Sequence, residues 1–321
     1  MKNLNIKRII RHILDSILLN RGFQLVKINE YRNNLVFLRN VFIEQDKCKN
    51  QKKRIDSIVF SRDRAMQLHA FLVSFKKMVT GYGKVFIIYK ATSERHNRSY
   101  NDLKKIFKDE DFEFIKEANF KKQLIDICEK SFSKTIGLYV DDMIFLRSVD
   151  YNIIENVDTF NYIVSLSRGK DLVYSQVLNM KLTLPDFTNM NNGLYRFNWD
   201  FSSEVSDWTY PLGVAGYFYD RIEFVVMLRS IDFKAPNSLE GNLQTYMPHY
   251  KSRFGLCMET TVCVPINANI VQAEWLNPII GTFSVEELME KWENGLCINT
   301  EKFYFKEGKF AQYQKYEFIK R

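Results

Sequence analysis

The chain has 321 residues, 46% hydrophobic and 26% charged, with only 13 glycines and 6 prolines, which excludes a disordered or linker-rich protein and supplies a sizeable core. A formal net charge of +8 favours polyanions, anionic lipid or phosphorylated small molecules as partners without choosing among them. Five dispersed cysteines without a CxxC pair, and four histidines without HxH or HExxH, argue against a disulfide framework, a zinc site or a zinc hydrolase.

Residues 2–20, KNLNIKRIIRHILDSILLN, predict an amphipathic helix: Ile6, Ile9, Ile10, Ile13, Leu14, Ile17 and Leu18 share a stripe, and Lys7, Arg8 and Arg11 lie off it. Such a helix suits an anionic membrane surface and, equally, the flank of its own domain. No run approaches the roughly 20 apolar residues of a membrane span, and no compact apolar signal-peptide core precedes a cleavage site. The expected location is cytoplasmic, with peripheral contact to the cytosolic face of the membrane as the extension of that reading.

Residues 44–54 are polar and basic and read as a connector, so 1–54 forms the first segment. Strands then follow at 56–61, 84–91, 111–117 and 135–140, separated by helices at 64–78, 97–109 and 120–131. This alternation of near-continuous apolar strands with helices predicts a doubly wound α/β domain, a mostly parallel sheet with helices on both faces. Beyond Asp142 the alternation weakens. Residues 160–169 read as a strand and turn, 186–220 as a polar-aromatic loop region, 221–231 and 238–251 as helices, and 260–272 as a strand running into a loop. The expected organisation is a first half over 55–150, a second half of the same domain over 151–282, and a C-terminal helix with a basic-aromatic tail over 283–321.

Ligands of open parallel sheets sit beyond the carboxyl ends of the strands. After the first strand stand Ser61, Arg62, Asp63 and Arg64, where two guanidiniums match phosphate geometry and equally suit local ion pairs at a helix start. After the second come Lys90 and Ser93, in a hydroxyl-rich and basic stretch that equally reads as a solvated, helix-capping loop. After the fourth come Asp141 and Asp142, within TIGLYVDDMIFLR. Adjacent carboxylates between apolar runs repel unless a cation compensates, and Mn²⁺ or Mg²⁺ is a natural compensator. The absence of GxGxxG, GxxxxGK[ST] and GxSxG disfavours Rossmann dinucleotide binding, P-loop chemistry and serine hydrolysis.

Strands closing in FSRDRAMQL, YKATS and YVDD, followed by SLSRG, resemble bacterial GT-A glycosyltransferases of capsule and O-antigen clusters, over roughly residues 55–275. The resemblance implies a GT-A fold, a nucleotide-sugar-binding half and an acceptor-binding half, with a DxD-like motif holding Mn²⁺ or Mg²⁺ against the donor diphosphate. Here that motif is Asp141-Asp142-Met143, with Met143 where a strict DxD carries its second acid. Ser61, Arg62, Asp63, Arg64, Lys90, Ser93 and Asp141 are the expected nucleotide-sugar contacts, with residues 119–122 (NFKK) at the border. Trp208 and Tyr210 are expected at the acceptor, where interior packing is the competing role of each. Glu240 is the first choice as catalytic acid or base, ahead of Asp207 and Glu204, and Asn267 or Asn269 would complete the metal or diphosphate contacts. The implied activity is metal-assisted transfer from a UDP-sugar donor to a saccharide, expected to be lipid-linked, with no nucleic-acid partner. A sugar-nucleotidyltransferase and a non-catalytic nucleotide-sugar or polysaccharide-binding module remain the alternatives.

Overall fold

Seven consecutive strand residues, Ile55 to Ser61, are all buried. Successive strand residues face opposite ways, so burial of every one requires cover on both faces of the sheet. The computed structural model describes scattered residues between 33 and 44, then 52–175, 178–199, 206–250, 253–266, 283–308 and 315–321. The chain divides into two units, Met1–Lys47 and Cys48–Arg321. In the first, the described residues between Asn33 and Glu44 are helical; the helix predicted over 2–20 lies outside the described residues.

The second unit is built on a nine-stranded sheet. Its strands are β1 (Lys52–Arg62), β2 (Tyr82–Lys90), β3 (Phe112–Lys116), β4 (Ser133–Val140) and β5 (Tyr162–Gly169). They continue with β6 (Thr188–Asn189), β7 (Leu194–Asn198), β8 (Tyr217–Asp220) and β9 (Phe254–Met258). Across the sheet the order is β6-β7-β9-β5-β8-β4-β1-β2-β3. The pairs β3–β2, β2–β1, β1–β4 and β5–β9 are parallel. β8 runs antiparallel to both β4 and β5, and β7 antiparallel to β9 and β6. Seven strands therefore share one direction, and β7 and β8 oppose it.

The main helices are α1 (Ala65–Met78), α2 (Glu94–Ile106), α3 (Phe120–Lys130), α4 (Tyr151–Glu155), α5 (Arg221–Ser230), α6 (Pro236–Leu243), α7 (Met247–Tyr250) and α8 (Val285–Glu293). α1 packs with α2 and α8, and α3 packs with α5. Ser93 caps α2, Asn119 caps α3, Asp220 caps α5, and Ser284 with Glu287 forms a capping box on α8, each satisfying N–H groups that a helix start leaves open. α1 is buried nearly all round rather than on the one stripe of Leu68, Leu72 and Phe75, because the sheet, α2 and α8 enclose it.

Three elements depart from the sequence pattern. β8 lies within the expected loop region, and β9 (FGLCM) falls between expected elements; both take strand form from their sheet neighbours rather than from a long local apolar run. The helix expected over 238–251 breaks into α6, a 3₁₀ turn at Gln244–Tyr246, and α7. Pro248 lacks the N–H that a continuous helix would use there. At the C-terminus, Leu296–Ile298 pairs antiparallel with Phe318–Lys320, and Tyr316 and Phe318 pack edge-on against Phe283, so the tail aromatics are anchored on this unit.

Candidate active site

β4 ends at Val140, and the next two residues turn at the carboxyl edge of the sheet. Asp141 and Asp142 are only 3% and 8% exposed. Met143–Phe145 then pairs with Cys263–Pro265, which is why apolar residues resume at once. Asp141 Oδ2 accepts from Ser61 Oγ at 2.8 Å and from the Arg62 backbone N–H at 3.3 Å. Arg64 Nη1 bridges the pair, donating to Asp141 Oδ1 at 3.2 Å and to Asp142 Oδ2 at 2.9 Å. Burial holds the Asp141 carboxyl above its ordinary range, the Arg64 guanidinium opposes this, and the Asp142 charge adds to it. Burial disfavours the Arg64 charge, but the two carboxylates outweigh it and hold the guanidinium more firmly ionised.

Ser61, Arg64, Asp141 and Asp142 are thus brought together, and two residues outside the expected set join them. The Tyr100 hydroxyl lies 2.6 Å from Ser61 Oγ and accepts from the Arg64 N–H at 3.2 Å. Tyr316, near enough for the Asp142 charge to add to the upward push that burial gives its hydroxyl, donates to the Ile266 carbonyl. The Ile266 N–H in turn donates to the Asp142 carbonyl at 2.8 Å, which brings Pro265 and Ile266 to this edge. Asn267 and Asn269 lie outside the described residues, as does Glu204.

Other expected contacts have structural partners. Asp63 adopts the left-handed backbone region (φ 53°), which Asp tolerates better than most residues. Its carboxylate accepts from both the N–H and the hydroxyl of Thr92, at 2.8 Å each, tying together the loops after β1 and β2. The Lys90 ammonium pairs with Glu117 at 2.8 Å. Ser93 caps α2, accepting from the His96 N–H, and Asn119 of the NFKK loop caps α3. The Arg62 side chain is 53% exposed at this edge, near Asp63.

A second cluster gathers at the same edge because β8 runs backwards. Its antiparallel course sets Tyr217, its first residue, opposite Leu138 near the end of β4. The preceding Gly216 donates to the Leu138 carbonyl at 2.8 Å, so the loop over 207–216 arrives beside the carboxylate turn. Arg168, at the end of β5 and 4% exposed, clamps this loop. Its guanidinium donates to the carbonyls of Asp207 and Tyr210 and lies over the rings of Tyr217 and Trp199. Glu240, on α6, accepts from the Val214 N–H at 3.3 Å. Burial pushes its carboxyl up to about 7, against the pull of that N–H and of Arg168. The Tyr210 hydroxyl is pushed up by burial and then by the neighbouring Glu240 charge. Asp207 contributes its carbonyl to Arg168, and its Oδ2 is buried without a hydrogen-bond partner.

Trp208 corrects an expectation. It is 1% exposed, enclosed by Phe187 and Phe197, with its indole N–H on the Leu172 carbonyl, so it presents no face to a sugar. The resemblance motif SLSRG contained Arg168, but nothing local marked it as a clamp: its partners lie 39 and 42 residues away.

Among the described residues, no group of three or more His, Cys, Asp or Glu side chains is gathered as a metal cage. Two adjacent carboxylates at a strand end nevertheless offer hard oxygen donors of the kind Mg²⁺ and Mn²⁺ use, and such ions commonly take the rest of their shell from substrate phosphates and water. Asp142 fits that role better than Asp141, which Ser61 and the Arg62 N–H already fix.

No protein-family model matches the chain. Among solved structures, S. aureus TarS is similar at a TM-score of 0.40 and 11% identity, covering 65% of this chain and 36% of that one. A nucleotidyl transferase from Methanothermobacter is similar at a TM-score of 0.35 and 10% identity, covering 65% and 88%. The chain spans 37% of the length of a curated relative to which it is 25% identical over 289 residues, 79% of its own length: the bifunctional glycosyltransferase pgtA of Dictyostelium discoideum.

Proposed function

We propose that the protein is a glycosyltransferase that moves a sugar from a nucleotide-sugar donor to a saccharide acceptor. The observation that carries this reading is the buried pair Asp141 and Asp142 at the sheet's carboxyl edge, with Glu240 raised toward neutrality at the same edge. The sequence similarity to a named glycosyltransferase supports it.

In this proposal Asp142, with Asp141 behind it, holds Mn²⁺ or Mg²⁺, which when bound neutralises charge on the donor diphosphate. Ser61 and Tyr100 keep Asp141 oriented, and the exposed Arg62 offers a planar guanidinium to phosphate oxygens. Glu240 takes the proton from the acceptor hydroxyl as it attacks; a carboxyl near 7 is well matched to accepting a proton at neutral pH. Tyr210, beside it, borders the acceptor, and Arg168 holds the acceptor loop in place. A UDP-sugar is the proposed donor. The proposed acceptor is a lipid-linked saccharide at the cytosolic face of the membrane, in synthesis of a capsule- or O-antigen-type polysaccharide.

The test is a panel of nucleotide sugars scored for thermal stabilisation and turnover, with and without Mn²⁺. At least one donor is expected to stabilise the fold in a metal-dependent way, and Asp141→Asn and Asp142→Asn are each expected to abolish turnover. A panel in which no donor stabilises the protein, or turnover that survives both substitutions undiminished, would overturn the proposal. Stabilisation without any turnover would mark a binding module instead.

A further inference from the structure

Two buried carboxylates share one cation in this structure, and that cation belongs to the chain itself. The Arg64 side chain is 11% exposed, as is that of Asp142, and that of Asp141 is 5% exposed. A single nitrogen, Nη1, reaches both carboxylates. The Arg64 backbone is fixed, because its N–H meets the Tyr100 hydroxyl and its carbonyl accepts the Leu68 N–H at 2.9 Å. The backbone is thus held independently of the two carboxylate contacts that the side chain makes. Asp141 is also fixed, by Ser61 and the Arg62 N–H, whereas these two bonds do not reach Asp142.

Resting on the metal role proposed above, we infer that Arg64 is a resident counter-cation that competes with the divalent metal for Asp142. The metal's capture is thereby coupled to arrival of the nucleotide diphosphate. A dication at these oxygens would stand within a few ångströms of the guanidinium, in a buried setting where like charges repel strongly. Metal therefore does not simply add to the site; Arg64 has to give up its contact with Asp142. A guanidinium released beside an arriving diphosphate finds a planar acceptor suited to its fork geometry. Metal without nucleotide has no such group to offer the displaced charge. Weak metal binding to the free protein and mutual tightening of metal and nucleotide follow, and linkage makes that tightening reciprocal.

Titration calorimetry with Mn²⁺ alone, and then with Mn²⁺ in saturating UDP, tests this on the full chain. Wild type is expected to gain at least ten-fold in Mn²⁺ affinity when UDP is present. Arg64→Gln is expected to bind Mn²⁺ alone at least ten-fold more tightly than wild type, to gain less from UDP, and to bind UDP more weakly. Equal Mn²⁺ affinity of wild type and Arg64→Gln in the absence of nucleotide would overturn the inference. Should that variant fail to fold, the wild-type titrations decide: Mn²⁺ affinity indifferent to UDP overturns it. Should neither UDP nor any other nucleoside diphosphate bind, the proposed function fails, while the comparison with Mn²⁺ alone still decides the role of Arg64.

Discussion

Glu240 accepts a backbone N–H from Val214, yet burial raises its carboxyl from an ordinary 4.5 to about 7. The folded protein therefore holds this proton more tightly than the unfolded chain does. What the group contributes to stability is fully present below pH 4.5 and is lost as pH rises toward 7. Glu240→Gln is accordingly expected to melt above wild type at pH 8, with the gap closing by pH 5, in thermal unfolding followed by circular dichroism. The same variant is expected to lose on the order of 10²–10⁴-fold in kcat while leaving donor affinity nearly unchanged. Wild-type kcat/KM should rise with pH through an acid limb near 7. A stability difference independent of pH would mean that Glu240 is ordinary, whatever happens to activity. At this scale Ser61, Arg64, Asp141 and Asp142 were legible because each stands at a strand end, where chemistry is exposed by topology alone. Tyr100 and Arg168 were not, because the hydrogen-bond partners that place them here lie 36 to 42 residues away and no local pattern records them.

Gly169 closes β5 beside Arg168, and a side chain there would have no room. A Cβ on Gly169 would lie 2.1 Å from the Thr261 backbone nitrogen and 2.4 Å from the Thr260 carbonyl carbon. Backbone atoms cannot rotate aside, so Gly169→Ala forces two segments of chain apart. We expect a loss of about 1–3 kcal/mol in urea unfolding, with weakened acceptor binding because the Arg168 clamp moves as well. A variant as stable as wild type would show that the Thr260–Thr261 crossing is loose. Elements of the first half were readable because each strand carries its own apolar run and each following helix its own period. β8 was not: its four residues follow a polar-aromatic stretch, and its pairing with β4 and β5 is decided by tertiary contact.

For the whole molecule, a net charge of +8 and the basic amphipathic stretch at 2–20 underlie the membrane proposal. Removing residues 1–20 is expected to weaken sedimentation with anionic vesicles, and moderate salt is expected to weaken the binding of the full chain. Undiminished vesicle binding by the shortened chain would remove that proposal. The reversed strand β8 has a different consequence at this scale. It belongs to the second half of the chain but lies between β4 and β5, so one ladder of backbone hydrogen bonds passes beneath both candidate clusters. A chain cut near residue 150 would strip β4 of its neighbour and bare an edge of unpaired N–H and C=O groups. The two substrates would therefore meet above an indivisible floor, with no seam along which one half could swing from the other. In the proposed transferase, admission and release would then belong to the loops over that floor rather than to any opening of the sheet.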